Sequence, residues 1–326
     1  MINFKRLQSI IDENNFFVIT THVNPDADAL GSELALARYL EKLDKKVSVI
    51  NYSETPYNLQ FLDTHSSIQV YNESVHDSLL GQCDVIIFVD LNQLDRVISM
   101  KKHLINSNKI KVFIDHHESP KEFTEYLFLD ENYSSTGEII YDLIISANKV
   151  ELDYDIALYI YSAIMTDTGS FRFERTTSKV HKIAAHLLEC GIDPKAIYRD
   201  IYDKNNVSKF RLLGRALSSI KLNNSKEIAY MVITKKDIEE AGSSEAEIDN
   251  FVNYGLSIKG ARISLLFYEI GDGIKISFRT VGNIPANRIA AEFDGGGHFH
   301  AAGTKLYGKF LSDYTSKVIA TAEKYL

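Results

Sequence analysis

Short, uninterrupted apolar runs alternate with helically spaced segments through the first half of this chain, and that alternation restricts the fold more than any other feature. Residues 16–21, 46–50, 85–89, 111–114 and 127–129 are such runs, rich in Val, Ile and Phe. A strand that is apolar on both faces must be covered on both, which parallel sheets achieve by returning through helices. The intervening segments supply them: Leu30, Leu34, Ala37 and Leu40 recur at helical spacing, and another helix begins near 135–137. Residues 156–166 run helically into Asp167-Thr168-Gly169, and 180–190 form a helix that stops at Gly191. The expected fold is an α/β domain over residues 1–190, a mainly parallel sheet flanked by helices.

The character then changes. Residues 191–226 are rich in Lys and Arg, and Val207, Phe210, Leu213, Leu217 and Ile220 keep helical spacing, which predicts an amphipathic helical connector. New strand-like runs follow at 229–234, 263–268 and 274–279. They predict a smaller C-terminal α+β domain over 227–326, an organisation that a chain of 326 residues accommodates. Only two cysteines, Cys83 and Cys190, exclude a disulfide framework or a cysteine-rich zinc module. The opening residues carry no signal-peptide pattern and no apolar stretch reaches membrane-spanning length, so the expectation is a cytoplasmic protein with no membrane partner. A formal net charge of −8 argues against a protein that coats long nucleic acids. A small anionic substrate remains compatible where local cations or bound metal supply a positive field.

Acidic and imidazole residues gather where the strands end. His22, Asp26 and Asp28 follow the first run, Asp90 ends the third, Asp115-His116-His117 end the fourth, and Asp167 ends a helix. In a parallel α/β sheet the carboxyl ends of the strands emerge along one edge, where such folds bind ligands. Singly, each residue has a plainer reading. Asp28 would N-cap a helix starting at Ala29, Asp90 would cap the next segment of chain, and either histidine would simply pack or face solvent. Asp167 fits less well, because a carboxylate at a helix C-terminus opposes the helix dipole. The coincidence of all the clusters is what these readings do not absorb. Carboxylates brought so close repel or take up protons unless cations stand among them. Carboxylate and imidazole without thiolate suit two Mn²⁺ ions best, with Mg²⁺, Co²⁺ or catalytic Zn²⁺ as alternatives. A pair of such ions, activating a hydroxide and neutralising charge on phosphorus, is a common device for cleaving phosphate esters.

A second pattern lies near the C-terminus, where Asp294 precedes Gly295, Gly296, Gly297 and His298, followed by Ala301-Ala302-Gly303. Consecutive glycines let backbone N–H groups approach an anion, although a glycine turn is the plainer reading. Arg279, Arg288 and His298 nearby favour phosphate. Residues 251–326 hold 9 Lys and Arg against 6 acidic residues, a local positive excess.

Together these residues resemble the DHH phosphoesterase superfamily: His22-x3-Asp26-x-Asp28, Asp90, Asp115-His116-His117 and Asp167 match its motifs, and Gly295-Gly296-Gly297-His298 matches its DHHA1 companion domain. Length and domain order are most similar to its NrnA-like oligoribonuclease and 3′-phosphoadenosine-5′-phosphate (pAp) phosphatase subfamily. The resemblance implies that His22, Asp26 and Asp90 hold one Mn²⁺, that Asp28, Asp90, His116 and Asp167 hold the other, and that Asp90 bridges. It implies further that Asp115 orients its neighbours, that His117 contacts the scissile phosphate, and that Arg279, Gly295, Gly296, Gly297 and His298 bind substrate. Asp294 stands where many relatives have a fourth glycine. Arg172 and Phe171, beside the last metal aspartate, would support the phosphate or stack a base, against a plainer reading of Phe171 as core. The implied activity is hydrolysis of very short nucleotides: short RNA oligonucleotides, linear dinucleotides such as pApA or pGpG, and pAp. A RecJ-like exonuclease, a pyrophosphatase and a non-catalytic nucleotide sensor are the rivals, and a homodimer stays open.

Overall fold

Each apolar run of the first half becomes a strand of one parallel sheet. The computed structural model describes residues 1–91, 93–117, 126–248 and 250–326, and the chain divides into two units, Met1–Lys204 and Asn205–Leu326. In the first unit the order is α1 (Phe4–Glu13), β1 (Phe16–Thr20), α2 (Ala27–Lys42), β2 (Lys46–Asn51), β3 (Ile68–Val70), α3 (Glu73–Gln82) and β4 (Val85–Val89). After a 3₁₀ segment, Leu94–Met100, come α4 (Lys101–Asn106), β5 (Ile110–Asp115), β6 (Tyr126–Leu129), α5 (Thr136–Ala147), α6 (Tyr154–Asp167), α7 (Ser178–Glu189) and α8 (Pro194–Tyr202).

The strands lie in the order β3-β2-β1-β4-β5-β6, every neighbouring pair parallel. Because successive side chains alternate between faces, Phe17 and Ile19 enter one core with residues of α2, α5 and α6, while Phe16 and Val18 enter another with Leu80, Val97 and Leu104. Across that second face the rings of Phe88 and Phe113 stack at 4.3 Å. The sheet carries one strand more than the apolar runs predict: β3 is a three-residue edge strand, Ile-Gln-Val, half-buried to exposed, too short and polar to show as a run.

The start of α2 also differs from the plainer reading of Asp28. Asp26 is the N-cap, its Oδ1 accepting from the Asp28 and Ala29 N–H groups at 3.1 and 3.0 Å. The helix therefore begins at Ala27, and Asp28 lies in its first turn, free of capping duty.

The second unit comprises α9 (Val207–Ser218), β7 (Lys221–Leu222), β8 (Ile228–Ile233), α10 (Lys235–Ala241), α11 (Asn253–Leu256), β9 (Ile263–Ile270), β10 (Gly273–Thr280), α12 (Ala286–Ala291), β11 (Gly296–Gly297), β12 (Ala301–Tyr307) and α13 (Leu311–Glu323). Its sheet runs β11-β12-β10-β9-β8-β7, with β8 and β9 parallel and the other pairs antiparallel. The segment read as a connector divides: Ile197 and Ile201 of α8 join the first unit's core, and Leu212 and Ala216 of α9 pack with Met231 and Leu266 of the second. Arg288, expected ahead of a helix, lies within α12. β12 is an addition to the expected strands, because Ala301, Ala302 and Gly303 are small and give no apolar signal.

Candidate metal centre

The reversal of strand order places β1 beside β4, and the crevice at their carboxyl ends is where doubly wound sheets hold ligands. His22 follows β1, Asp90 follows β4, and His116 and His117 follow β5. Asp26 and Asp28 open α2, and Asp167 is the last residue of α6. All of these sequence-predicted residues meet. Ligand atoms of His22, Asp26 and Asp90 lie within 4.8 Å of one another, as do those of Asp28, His116 and Asp167, and those of Asp90, His116 and His117.

Asp90 stands between the groups. Its backbone takes a left-handed φ of 53°, a conformation Asp tolerates better than most residues. Its Oδ2 lies 3.4 Å from His22 Nε2, while Oδ1 lies 3.6 Å from His116 Nε2 and 3.4 Å from His117 Nδ1. His116 Nε2 is also 3.1 Å from Asp167 Oδ2 and 3.5 Å from Asp28 Oδ2. The other ring nitrogens are held from behind. His22 Nδ1 is 2.9 Å from the Val23 carbonyl and His116 Nδ1 is 3.4 Å from the Tyr133 carbonyl, which leaves Nε2 of each facing the crevice. Asp115 organises its neighbours, and its Oδ1 and that of Asp90 face the same His117 Nδ1, at 2.6 and 3.4 Å. The Asp115 Oδ1 also accepts from the His116 and His117 backbone N–H groups at 2.9 and 3.2 Å.

Apart from Asp26, which is exposed, and Asp167, which is half-buried, these side chains are withdrawn from water. The electrostatic consequence is severe. Burial, together with the Asp90, Asp167 and Asp26 carboxylates, pushes Asp28 well above the usual carboxylate range. Burial acts in the same sense on Asp90, but the imidazoles of His117, His22 and His116 outweigh it and hold Asp90 well below that range. Burial opposes charge on His116, yet Asp167, Asp90 and Asp115 raise it to about 9. His117 is raised against the same opposition, by Asp90 and Asp115. Taken as protein alone, the cluster balances its charge with protons. Such a donor set calls for positive charge, and divalent cations fit it in ligand type and in spacing.

Sequence reasoning missed one contributor. Ser135 caps α5 by accepting from Glu138 N–H at 3.1 Å, and the first helical N–H groups, of Thr136 and Gly137, donate to Asp28 Oδ2 and Oδ1 at 2.8 and 2.9 Å. The Ser135-Thr136-Gly137-Glu138 pattern announces a helix start, but nothing in it points to a carboxylate more than a hundred positions earlier. Phe171 packs between Tyr161 and His181, at ring distances of 5.8 and 5.6 Å, and against the first core. Arg172 turns back to donate to the Gly169 carbonyl at 2.6 Å.

In the second unit, Arg279 is paired across β10 and β12 with Ala301, three residues beyond His298. The glycine run and β12 form a tight hairpin closed by hydrogen bonds between His298 and Ala301. A Cβ at Gly295 or Gly297 would lie 2.5 or 2.4 Å from a carbonyl of β12, so those two glycines are required by the hairpin itself, whereas a Cβ at Gly296 would meet nothing within 4 Å among the described residues. Asp294 has φ 56°, a left-handed conformation that Asp tolerates better than most residues.

This fold and this site define a class. The family model described as the DHH family, N-terminal domain, matches residues 16–164, and that of the DHHA1 domain matches residues 223–326. The chain belongs to the DHH family, whose members are metal-dependent phosphoesterases. Among its relatives, the bifunctional oligoribonuclease and PAP phosphatase NrnA of Thermus thermophilus is 31% identical over 308 residues, which cover 94% of this chain and 89% of the relative. The protein of the same name from Bacillus subtilis is 30% identical over 310 residues, covering 94% and 93%. The crystal structure of an exopolyphosphatase-related protein from Bacteroides fragilis superposes with a TM-score of 0.93 at 33% identity, covering 99% of this chain and 96% of the other.

Proposed function

We propose that this phosphoesterase acts on very short nucleotides: RNA oligomers of a few residues, linear dinucleotides such as pApA or pGpG, and pAp. The observation that carries the reading is Asp90, whose two oxygens face different groups of carboxylate and imidazole donors in one buried crevice. The relatives named for oligoribonuclease and PAP phosphatase activity support the substrate class.

In this proposal His22, Asp26 and Asp90 hold one Mn²⁺, and Asp28, Asp90, His116 and Asp167 hold the other, with Mg²⁺ or Co²⁺ as substitutes. When bound, the two ions supply Lewis acidity that activates water and neutralises charge developing at phosphorus. Asp115 fixes the His117 ring through Nδ1, which leaves Nε2 to hydrogen-bond a phosphate oxygen. Arg279, His298 and the backbone around Gly296 bind the part of the nucleotide away from the scissile bond. A cytoplasmic place of action belongs to the same proposal, in keeping with the free thiols of Cys83 and Cys190.

The test is a substrate panel of pAp, pApA, pGpG and long single-stranded DNA, assayed with Mn²⁺, Mg²⁺ and Co²⁺. Faster hydrolysis of the short substrates is expected. Intact short substrates, or long strands degraded as fast as dinucleotides, would overturn the proposal.

A further inference from the structure

Thr136 is fully buried at the start of α5 and touches two of the three carboxylates assigned to the second cation, Asp28 and Asp90. Its N–H donates to Asp28 Oδ2 at 2.8 Å and its hydroxyl donates to Asp90 Oδ1 at 3.2 Å. The Asp28 carboxylate, held also by Gly137 N–H on its other oxygen at 2.9 Å, has its plane set by two consecutive amides. Among the described residues, Asp90 has no such pair of amides. The terminal torsion of an aspartate is broad and roughly two-fold, so its carboxylate rotates easily unless a neighbour selects one orientation. Oδ2 must stay toward His22 and Oδ1 toward His116 for one residue to serve both groups of donors. A hydroxyl on Oδ1 makes that selection and occupies one lone pair, leaving another for a cation.

We propose that Thr136 is a positioning residue, which links Asp28 to Asp90 and sets the rotation at which Asp90 bridges two cations. The proposal rests on the two-cation reading above and concerns how the chain prepares that site, since Thr136 itself touches neither substrate nor ion.

Valine matches threonine in shape and lacks the hydroxyl, and serine keeps the hydroxyl and lacks the methyl group. Wild type, Thr136→Val and Thr136→Ser are titrated with MnCl₂ by calorimetry, and their melting is followed without metal. Wild type and the serine variant are expected to bind two Mn²⁺ per chain. The valine variant is expected to melt with wild type yet bind at least one ion roughly ten- to a hundredfold more weakly, the usual loss when a partner behind a metal ligand is removed. Its kcat should fall while KM changes little. Thr136→Ala repeats the comparison should valine disturb the helix start. Two wild-type binding events preserved in the valine or alanine variant overturn the positioning role alone. A wild-type chain that binds no Mn²⁺ overturns the two-cation reading beneath it.

Discussion

Replacing Gly137 by alanine should lower both stability and turnover, although helix propensity alone predicts the opposite. Gly137 has ordinary helical backbone geometry, so alanine would gain about 1 kcal/mol from propensity. The added Cβ, however, would lie 2.5 Å from the Cβ of Ala163 on α6. That is about 1 Å short of van der Waals contact, and overpacking of this kind costs about 1–3 kcal/mol. Asp28 Oδ1 and Ser135 Oγ, at 3.5 and 3.6 Å, leave the group room, so Ala163 is the whole obstacle. Relief requires α5 to move away from α6, and the N–H groups that hold Asp28 move with it. A misplacement of about 1 Å in a catalytic site lowers turnover roughly a hundredfold. Thermal melts by circular dichroism and kcat/KM on pApA with Mn²⁺ measure both effects. The double variant Gly137→Ala/Ala163→Gly should recover most of each, less the roughly 1 kcal/mol for a glycine inside a helix. A single variant indistinguishable from wild type, or a double variant no better than the single, would refute the packing argument.

Glu33 is fully buried on α2, accepts from Asn51 Nδ2 at 2.7 Å, and is pushed by burial well above the usual carboxylate range. The folded chain keeps a proton that the unfolded chain loses above about pH 4.3, so this contribution to stability is full below that pH and is lost as pH rises through the folded-state pKa. Glu33→Gln removes that slope, and its melting temperature relative to wild type should rise between about pH 4 and pH 8; a difference constant with pH would count against the assignment. Gly296→Ala should melt like wild type, because its Cβ meets no described atom within 4 Å, and should raise KM for short nucleotides with little change in kcat. An unchanged KM would mean that no substrate group approaches there. Asp90→Asn should abolish turnover and weaken Mn²⁺ binding while the far-ultraviolet spectrum stays native, and retained turnover would remove Asp90 from the chemistry.

Much of the first unit was legible because its strands are apolar on both faces, a local pattern that few neighbours are needed to recognise. The donors were legible for the same reason: His22, Asp90 and His116 follow strands, and a parallel sheet sends all its carboxyl ends one way. β3 and β12 carry no such pattern, because Gln69 interrupts one and small residues begin the other, so their pairing depends on a partner strand rather than on their own side chains. The sequence does not say which residue caps α2, since Asp26 and Asp28 are equally good caps in one dimension; the choice falls to Asp26 while Asp28 is engaged by α5.

The order of the amino acids thus determined by itself that a parallel sheet forms, that carboxylates and imidazoles leave its strands at one edge, and that these residues resemble the DHH motifs. Only the tertiary structure decided that β1 lies against β4, that Asp90 turns one oxygen to each group of donors, and that Thr136 and Gly137 hold Asp28. Those outcomes depend on elements far apart in the chain arriving at hydrogen-bonding distance, and no periodicity or short motif records which distant helix will fill the space beside a given carboxylate.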